Sequence, residues 1–230
     1  MEDFVYWRHP TLPCIKVEEI TEGDDYKGPA WMDMARQIYG ENGKENYREI
    51  RHFDNGAPYV AGSMARISLT HCPGLLAIAT LPDTPEVTLS ESSDRAALGI
   101  DAERCDREQV LKVRERFLSP AELETIPADS VPDHILAWTV KEAAYKAALT
   151  AGVDLRDNIA IVKMPAVGPA TPVYDKAEFP DFDQNCYGRV KVTDADGNER
   201  EFIVYSYRSD DYIISLAYSP RSARFNKTAR

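Results

Sequence analysis

The sequence has little of what builds a metal centre from soft ligands. Its four cysteines, Cys14, Cys72, Cys105 and Cys186, include no C-x-x-C pair, and its four histidines, His9, His52, His71 and His134, stand at no zinc spacing. That spacing excludes a disulfide framework or zinc finger, and free thiols in a reducing compartment are expected. No apolar run approaches the ~20 residues of a transmembrane helix, so no membrane partner is expected. The start, Met1-Glu2-Asp3, is acidic and carries no apolar stretch. A secretory signal is not expected there, and the cytoplasm is the expected location. Basic charge is also short: 27 Lys and Arg face 38 Asp and Glu, a net charge of −11. A nucleic-acid partner calls for a basic footprint and is not expected. Phosphate loops are missing too. Gly40-Glu41-Asn42-Gly43-Lys44 puts a lysine after glycine, but no Ser or Thr follows, and neither G-x-G-x-x-G nor H-E-x-x-H occurs. No fixed-period repeat is present.

What remains is an ordinary globular composition. The 230 residues are 43% hydrophobic and 28% charged, enough to bury a core without staples. Strand and helix signals are mixed rather than regularly alternating, so the expected class is α+β. Trp31 to Tyr39 has apolar residues at helical spacing and stops at Gly40. Asp54-Asn55-Gly56-Ala57-Pro58 is a turn between two extended runs. Ala65 to Thr70 alternates as a strand, and Cys72-Pro73-Gly74 turns it into a buried strand from Leu75 to Thr80. The polar, proline-bearing stretch from Pro82 to Ser93 is the candidate boundary between subdomains. Ala97 to Asp101 begins the second half as a strand. Asp106 with Gln109, Ser119 with Glu122, and Ser130 with Asp133 each predict a capped helix start. Gly152 is placed to end the last of these helices. Gly188 to Thr193 and Phe202 to Tyr207 read as a hairpin, with Tyr212 to Tyr218 beside it.

Two segments carry chemistry. In Gly99-Ile100-Asp101-Ala102-Glu103, the two acids are two residues apart, which on a strand places both on one face. Ile100 and Ala102 then point into a core. In Trp138-Thr139-Val140-Lys141-Glu142-Ala143-Ala144-Tyr145-Lys146, Glu142 and Lys146 are one helical turn apart. That is also the spacing of an ordinary surface ion pair worth a few tenths of a kcal/mol. Likewise, Asp101 and Glu103 taken alone read as solvated acids on a strand edge, and His71 as a strand-end histidine satisfied by backbone. Brought together, three carboxylates and an ammonium form the kind of cluster that a magnesium ion on a pyrophosphate requires.

The two segments together resemble the paired motifs of the Sfp-type 4′-phosphopantetheinyl transferases, G-I/V-D-x-E and W-x-x-K-E-A-x-x-K. Between them, Arg116-Phe117-Leu118-Ser119-Pro120-Ala121-Glu122 is similar to that family's R-F-F/L-S-x-x-E. Upstream, Gly56-Ala57-Pro58 resembles its G-x-P turn, and Ile67 to Gly74 its strand ending in S/T-H-S/C-x-G. The five segments follow the family's order. The resemblance implies two similar α/β subdomains with pseudo-twofold symmetry, built of antiparallel strands and long helices. They would cover residues 1–97 and 98–220, with a basic tail at 221–230. It implies transfer of the 4′-phosphopantetheine arm of coenzyme A to a serine of an apo acyl- or peptidyl-carrier protein, with release of 3′,5′-ADP. Mg²⁺ would be held by Asp101, Glu103 and Glu142, and a monomer is expected. Glu142, Lys146 and Glu103 are the expected catalytic groups. Glu142 would activate the carrier serine, directly or through water, or Glu103 would do so through water. His71, Thr70, Gly56, Ala57, Pro58, Lys141 and Lys146 are the expected coenzyme contacts. Many relatives carry Lys or Arg where this chain has Ala57, and Lys44, Arg51 or Arg66 are the candidates to compensate. The carriers of fatty-acid, polyketide and peptide synthesis are equally open. An apolar docking groove or basic rim is expected after Glu103, because carriers are usually acidic like this chain.

Three rival readings follow from the same residues. A magnesium-dependent hydrolase of coenzyme A would use identical ligands, a carrier-binding module would keep the fold without turnover, and a structural protein would use none of them. Mass gain by an apo-carrier separates the first from the transferase.

Overall fold

The computed structural model describes residues 3–8, 16–21, 50–53, 56–60, 66–81, 97–150, 152–169, 187–209 and 211–219. The predicted helix at Trp31–Tyr39, the Pro82–Ser93 boundary and the basic tail lie outside them. In chain order the strands are β1 (Asp3–Arg8), β2 (Lys16–Thr21), β3 (Ile50–His52), β4 (Pro58–Val60), β5 (Arg66–Cys72), β6 (Leu75–Leu81) and β7 (Ala97–Arg104). Three helices follow: α1 (Gln109–Val113), α2 (Pro120–Thr125) and α3 (Val131–Ala148). The chain closes with β8 (Ile159–Lys163), β9 (Val167–Pro169), β10 (Gly188–Thr193), β11 (Glu199–Ser209) and β12 (Tyr212–Ser219).

The strands form two sheets. The first runs β1-β2-β6-β5-β4-β3 and the second β7-β12-β11-β10-β8, with short β9 added to β11. Every pairing is antiparallel except β9 with β11. This is the expected α+β architecture. Of the long helices expected, α3 is the one found among the described residues, at 18 residues against five and six for α1 and α2.

Local chemistry explains most of the elements. Pro73-Gly74 closes the β5–β6 hairpin opposite the Cys72–Leu75 pair, with Gly74 at φ +85°. At α2, Ser119 accepts from the Glu122 amide while the Glu122 side chain accepts from the Ser119 amide, with Pro120 at the first helical position. Ser130 caps α3 by accepting from Asp133 N. The Asp106 cap is corrected: its carboxylate binds the Arg104 guanidinium through two contacts of 2.9 and 2.8 Å, and the N-cap of α1 is Glu108, with no side-chain cap. A bidentate charged partner outcompetes a backbone amide. The end of α3 is corrected as well. Leu149 itself takes the left-handed conformation, at φ 52°, and Gly152 lies beyond the cap in a turn.

Strand β7 is covered on both faces, and all but Arg104 of its residues are buried. Ala97 packs in the core under α3, with Phe202, Val204, Ala143 and Ala147. Leu98, Ile100 and Ala102 face the other way, against Leu75, Ala77 and Ala79 of the first sheet. Burying each large aliphatic there contributes about 1.5–3 kcal/mol. β7 is also the edge of its own sheet, and its outer amides are met by side chains of β5. Ile100 N donates to Ser68 Oγ at 3.0 Å and Ala102 N to Thr70 Oγ1 at 3.3 Å. Alternate hydroxyls on β5 thus cover an edge that would otherwise bury unpaired donors.

Candidate active site

Gly99 sets the spacing between the two motifs. A Cβ at this position would stand 2.5 Å from Ala147 N, and nearer still to the Ala143 carbonyl oxygen. Glycine on the strand and alanines one turn apart on α3 let the two backbones touch. Asp101 and Glu103 follow Gly99 on the same face of β7.

Asp101 is the meeting point of β5, β7 and α3. Lys146 Nζ donates to Asp101 Oδ1 at 2.7 Å and to the Ile100 carbonyl at 3.1 Å. Thr70 Oγ1 donates to the same Oδ1 at 2.9 Å. Asp101 Oδ2 is buried with no hydrogen-bond partner. Glu103, also buried, accepts from Arg107 Nη1 in a close contact and from the Arg104 amide at 2.9 Å. Glu142 is partly buried on α3. Burial and the neighbouring Asp101 charge push its carboxyl up to about 6, with Lys146 opposing. At the end of β5, the His71 imidazole is held below its ordinary value by partial burial and by the Lys146 ammonium, against the pull of Asp101.

The structure therefore brings Asp101, Lys146 and Thr70 into contact, with Glu142 and His71 within electrostatic reach. The expected cluster of three carboxylates is not assembled as such. Among the described residues, no three His, Cys, Asp or Glu side chains stand together as a metal cluster. The reason is charge: adjacent buried carboxylates repel, and each of the strand acids instead holds its own cation, Asp101 with Lys146 and Glu103 with Arg107. Lys146 accordingly serves Asp101 rather than forming the helical pair with Glu142. The donor set still suits a hard divalent cation. It consists of carboxylate oxygens on two touching elements, and Asp101 Oδ2 is unpartnered.

Three cavities lined by described residues lie on or near these elements. One of about 410 Å³ is lined by Gly56, Ala57 and Pro58 on one side and by Tyr145, Lys146 and Leu149 on the other. It thus unites the expected G-x-P turn with the lysine of the second motif. Gly56 adopts φ +82° in this turn, where Phe53 N donates to Ala57 O at 2.9 Å. Arg66 lines the same cavity, opposite the end of α3. A second cavity, about 570 Å³, holds His71, Glu103, Arg104 and Arg107. A third, about 370 Å³, is apolar. Val110, Val113, Phe117, Ile135 and Trp138 line it, with Glu103, Arg107 and Arg116 at its polar side. Trp138 meets Phe117 edge-on at 5.0 Å.

Two expected coenzyme contacts are corrected. Lys141 is fully buried, and its three donors go to Glu122 Oε2 at 2.7 Å, Leu155 O at 3.0 Å and Ile159 O at 2.7 Å. An ammonium has three donors, so none is left for a phosphate. Glu122 completes this hub by accepting from Ser119 N and Ile161 N. Thr70 is buried too, and it donates its one hydroxyl proton to Asp101. Its place is behind the carboxylate.

Sequence reasoning missed Arg107 and Tyr145. Arg107 follows Glu103 by four residues across a turn, where helical spacing carries no meaning. Tyr145 is exposed beside Lys146 and lines the cavity there.

Hard oxygen donors, a lysine on the same carboxylate and a cavity at their side are equipment for a phosphorylated substrate. The chain belongs to the 4′-phosphopantetheinyl transferase superfamily, whose family model matches residues 97–216, just over half of its length. Membership implies transfer of phosphopantetheine. No curated protein matches the chain. Among the described residues, no helix is long and apolar enough to cross a membrane.

Proposed function

We propose that this protein transfers the 4′-phosphopantetheine arm of coenzyme A to a serine of an apo acyl- or peptidyl-carrier protein, with Mg²⁺ as the required cation and 3′,5′-ADP as the other product. The observation that carries this reading is Asp101, held by Lys146 and Thr70 while its second oxygen stays unpartnered. Asp101, Glu103 and Glu142 would hold the cation. When bound, it neutralises charge on the diphosphate and steadies the leaving group.

The nucleotide end of coenzyme A fits the cavity between the Gly56-Ala57-Pro58 turn and α3, where Lys146 forms the inner wall. With Ala57 supplying no charge, Arg66 is the described cation lining that cavity from the first sheet. His71, at the end of β5, would donate to a phosphate oxygen from the adjoining cavity. In the reaction, the carrier serine oxygen bonds to the phosphorus on the pantetheine side, and the bond from that phosphorus to the 3′,5′-ADP oxygen breaks. Lys146 places positive charge against that leaving oxygen. Glu142 takes the serine proton, directly or through water. Its place on α3 beside Asp101 and Lys146 puts it at the reacting end of the site. Glu103 acting through water is the other candidate base.

The apolar cavity after Glu103 supports docking of a carrier by shape; the charges of Arg107 and Arg116 at its rim are balanced by Glu103 and Asp154. The two sheets support a division into two subdomains with its boundary before β7, which begins at Ala97. A monomer in the cytoplasm is part of the same reading.

The test is intact-mass measurement on a panel of apo-carriers with coenzyme A. The expected result is a gain of one arm, roughly 340 Da from the composition of the transferred group, with Mg²⁺ and none with chelator. The Asp101→Asn variant, which keeps the side-chain volume and an oxygen for Lys146 and Thr70, should give no gain. Free 3′,5′-ADP without carrier modification would instead identify a coenzyme A hydrolase.

A further inference from the structure

Beyond the roles above, Glu103 and Arg107 share a position between two cavities. Both line the apolar cavity beside Trp138, and both line the polar cavity beside His71. Their ion pair is therefore the partition between the two. The pair is unequal in burial: the Glu103 side chain is 8% exposed and that of Arg107 49%. A buried carboxylate needs a counter-charge, whereas a half-exposed guanidinium keeps much of its hydration and can leave. The second oxygen of Glu103 is steadied by the Arg104 amide, which stays in place whatever Arg107 does. Arg104 itself is held by Asp106 through two contacts and cannot take over as counter-ion.

We infer that Arg107 is a built-in counter-ion of Glu103 that a divalent cation displaces, and that its departure joins the polar and apolar cavities into one passage. This rests on the metal reading of Asp101, Glu103 and Glu142. Loading is then an exchange: the cation takes the carboxylate oxygen, and the guanidinium turns to solvent at the rim. No bond to carbon or phosphorus is made, and no proton moves. The exchange keeps Glu103 neutralised at every stage. It also makes metal affinity lower than the bare carboxylates would provide, because Arg107 competes for the same oxygen. Lys146 cannot play this part, being held by the Ile100 carbonyl as well as by Asp101.

The test is a Mn²⁺ binding isotherm on the full chain, read from the free-ion electron paramagnetic resonance signal, without coenzyme A. Arg107→Gln should bind Mn²⁺ more tightly than the parent protein, by about five- to tenfold for removal of one charge-assisted contact. Arg107→Lys restores a competing cation and should lie close to the parent. Asp101→Asn should weaken binding in either background. Unchanged or weaker binding in Arg107→Gln overturns the exchange, provided that Asp101→Asn weakens it. Undiminished binding in Asp101→Asn overturns the metal reading and the exchange together.

Discussion

Replacing Gly99 with alanine is the sharpest perturbation the structure offers, because it adds one methyl group and no charge. The new Cβ would sit 2.5 Å from Ala147 N and closer to the Ala143 carbonyl oxygen. Ordinary contact begins near ~3.5 Å, so α3 must retreat by at least roughly 1 Å, and further where the Ala143 carbonyl stands. Both atoms belong to a helix backbone and no side chain can rotate aside. Overpacking of this kind costs about 1–3 kcal/mol, and the upper end applies here. For a protein of this size that lowers Tm by roughly 6–12 °C. The same retreat carries Lys146 away from Asp101, where the contact is now 2.7 Å. A displacement of ~1 Å at reacting groups costs on the order of 100-fold in rate. Calorimetry and initial rates of carrier loading by intact mass would read both effects. Ala143→Gly in the same chain should not rescue either one, because the clash is with the carbonyl and not with the Ala143 methyl. A Gly99→Ala protein with unchanged Tm and unchanged turnover would refute the argument that direct backbone contact sets the site's spacing.

Other consequences are equally open to measurement. The Glu142 carboxyl is raised from 4.5 to about 6 in the folded protein, so the folded state binds the extra proton. Its contribution, at most about 2 kcal/mol, is fully present below pH 4.5 and is lost as pH rises through about 6. Urea unfolding in chelator from pH 4 to 7.5 should show this slope, and Glu142→Gln should flatten it; identical slopes would count against the shift. Lys141→Met leaves the buried Glu122 carboxylate without its cation and should cost about 3–5 kcal/mol. Adding Glu122→Gln to that variant should recover part of the loss, by the non-additivity of paired groups. Coenzyme A affinity per folded molecule should be unaffected in Lys141→Met. A stable Lys141→Met protein with weakened coenzyme binding would return Lys141 to the coenzyme contacts.

Much of the fold was legible in the sequence where the signal is local. The Ser119-Pro120-Ala121-Glu122 cap forms because its donors and acceptors lie within one turn. The Pro73-Gly74 hairpin forms because glycine reaches positive φ without strain. Alternation in β7 placed Asp101 and Glu103 on one face and Ile100 and Ala102 on the other, as the two cores require. Strands β1, β2, β8 and β9 went unread. β8 and β9 are short, and β2, β8 and β9 pair with strands distant in the chain, while β1 pairs with β2.

The candidate residues came from the sequence alone: two motifs in a fixed order supplied three acids and a lysine. What only the tertiary structure decided is which cation each acid meets. Asp101 could have faced Glu142, Lys141 or Lys146. The contact of Gly99 with α3 selected Lys146, while the pull of Glu122 and two carbonyls drew Lys141 to the opposite side of the helix. Charge pairing depends on distances of a few ångströms between elements far apart in the chain. Those distances are set by packing, and no spacing along the chain encodes them.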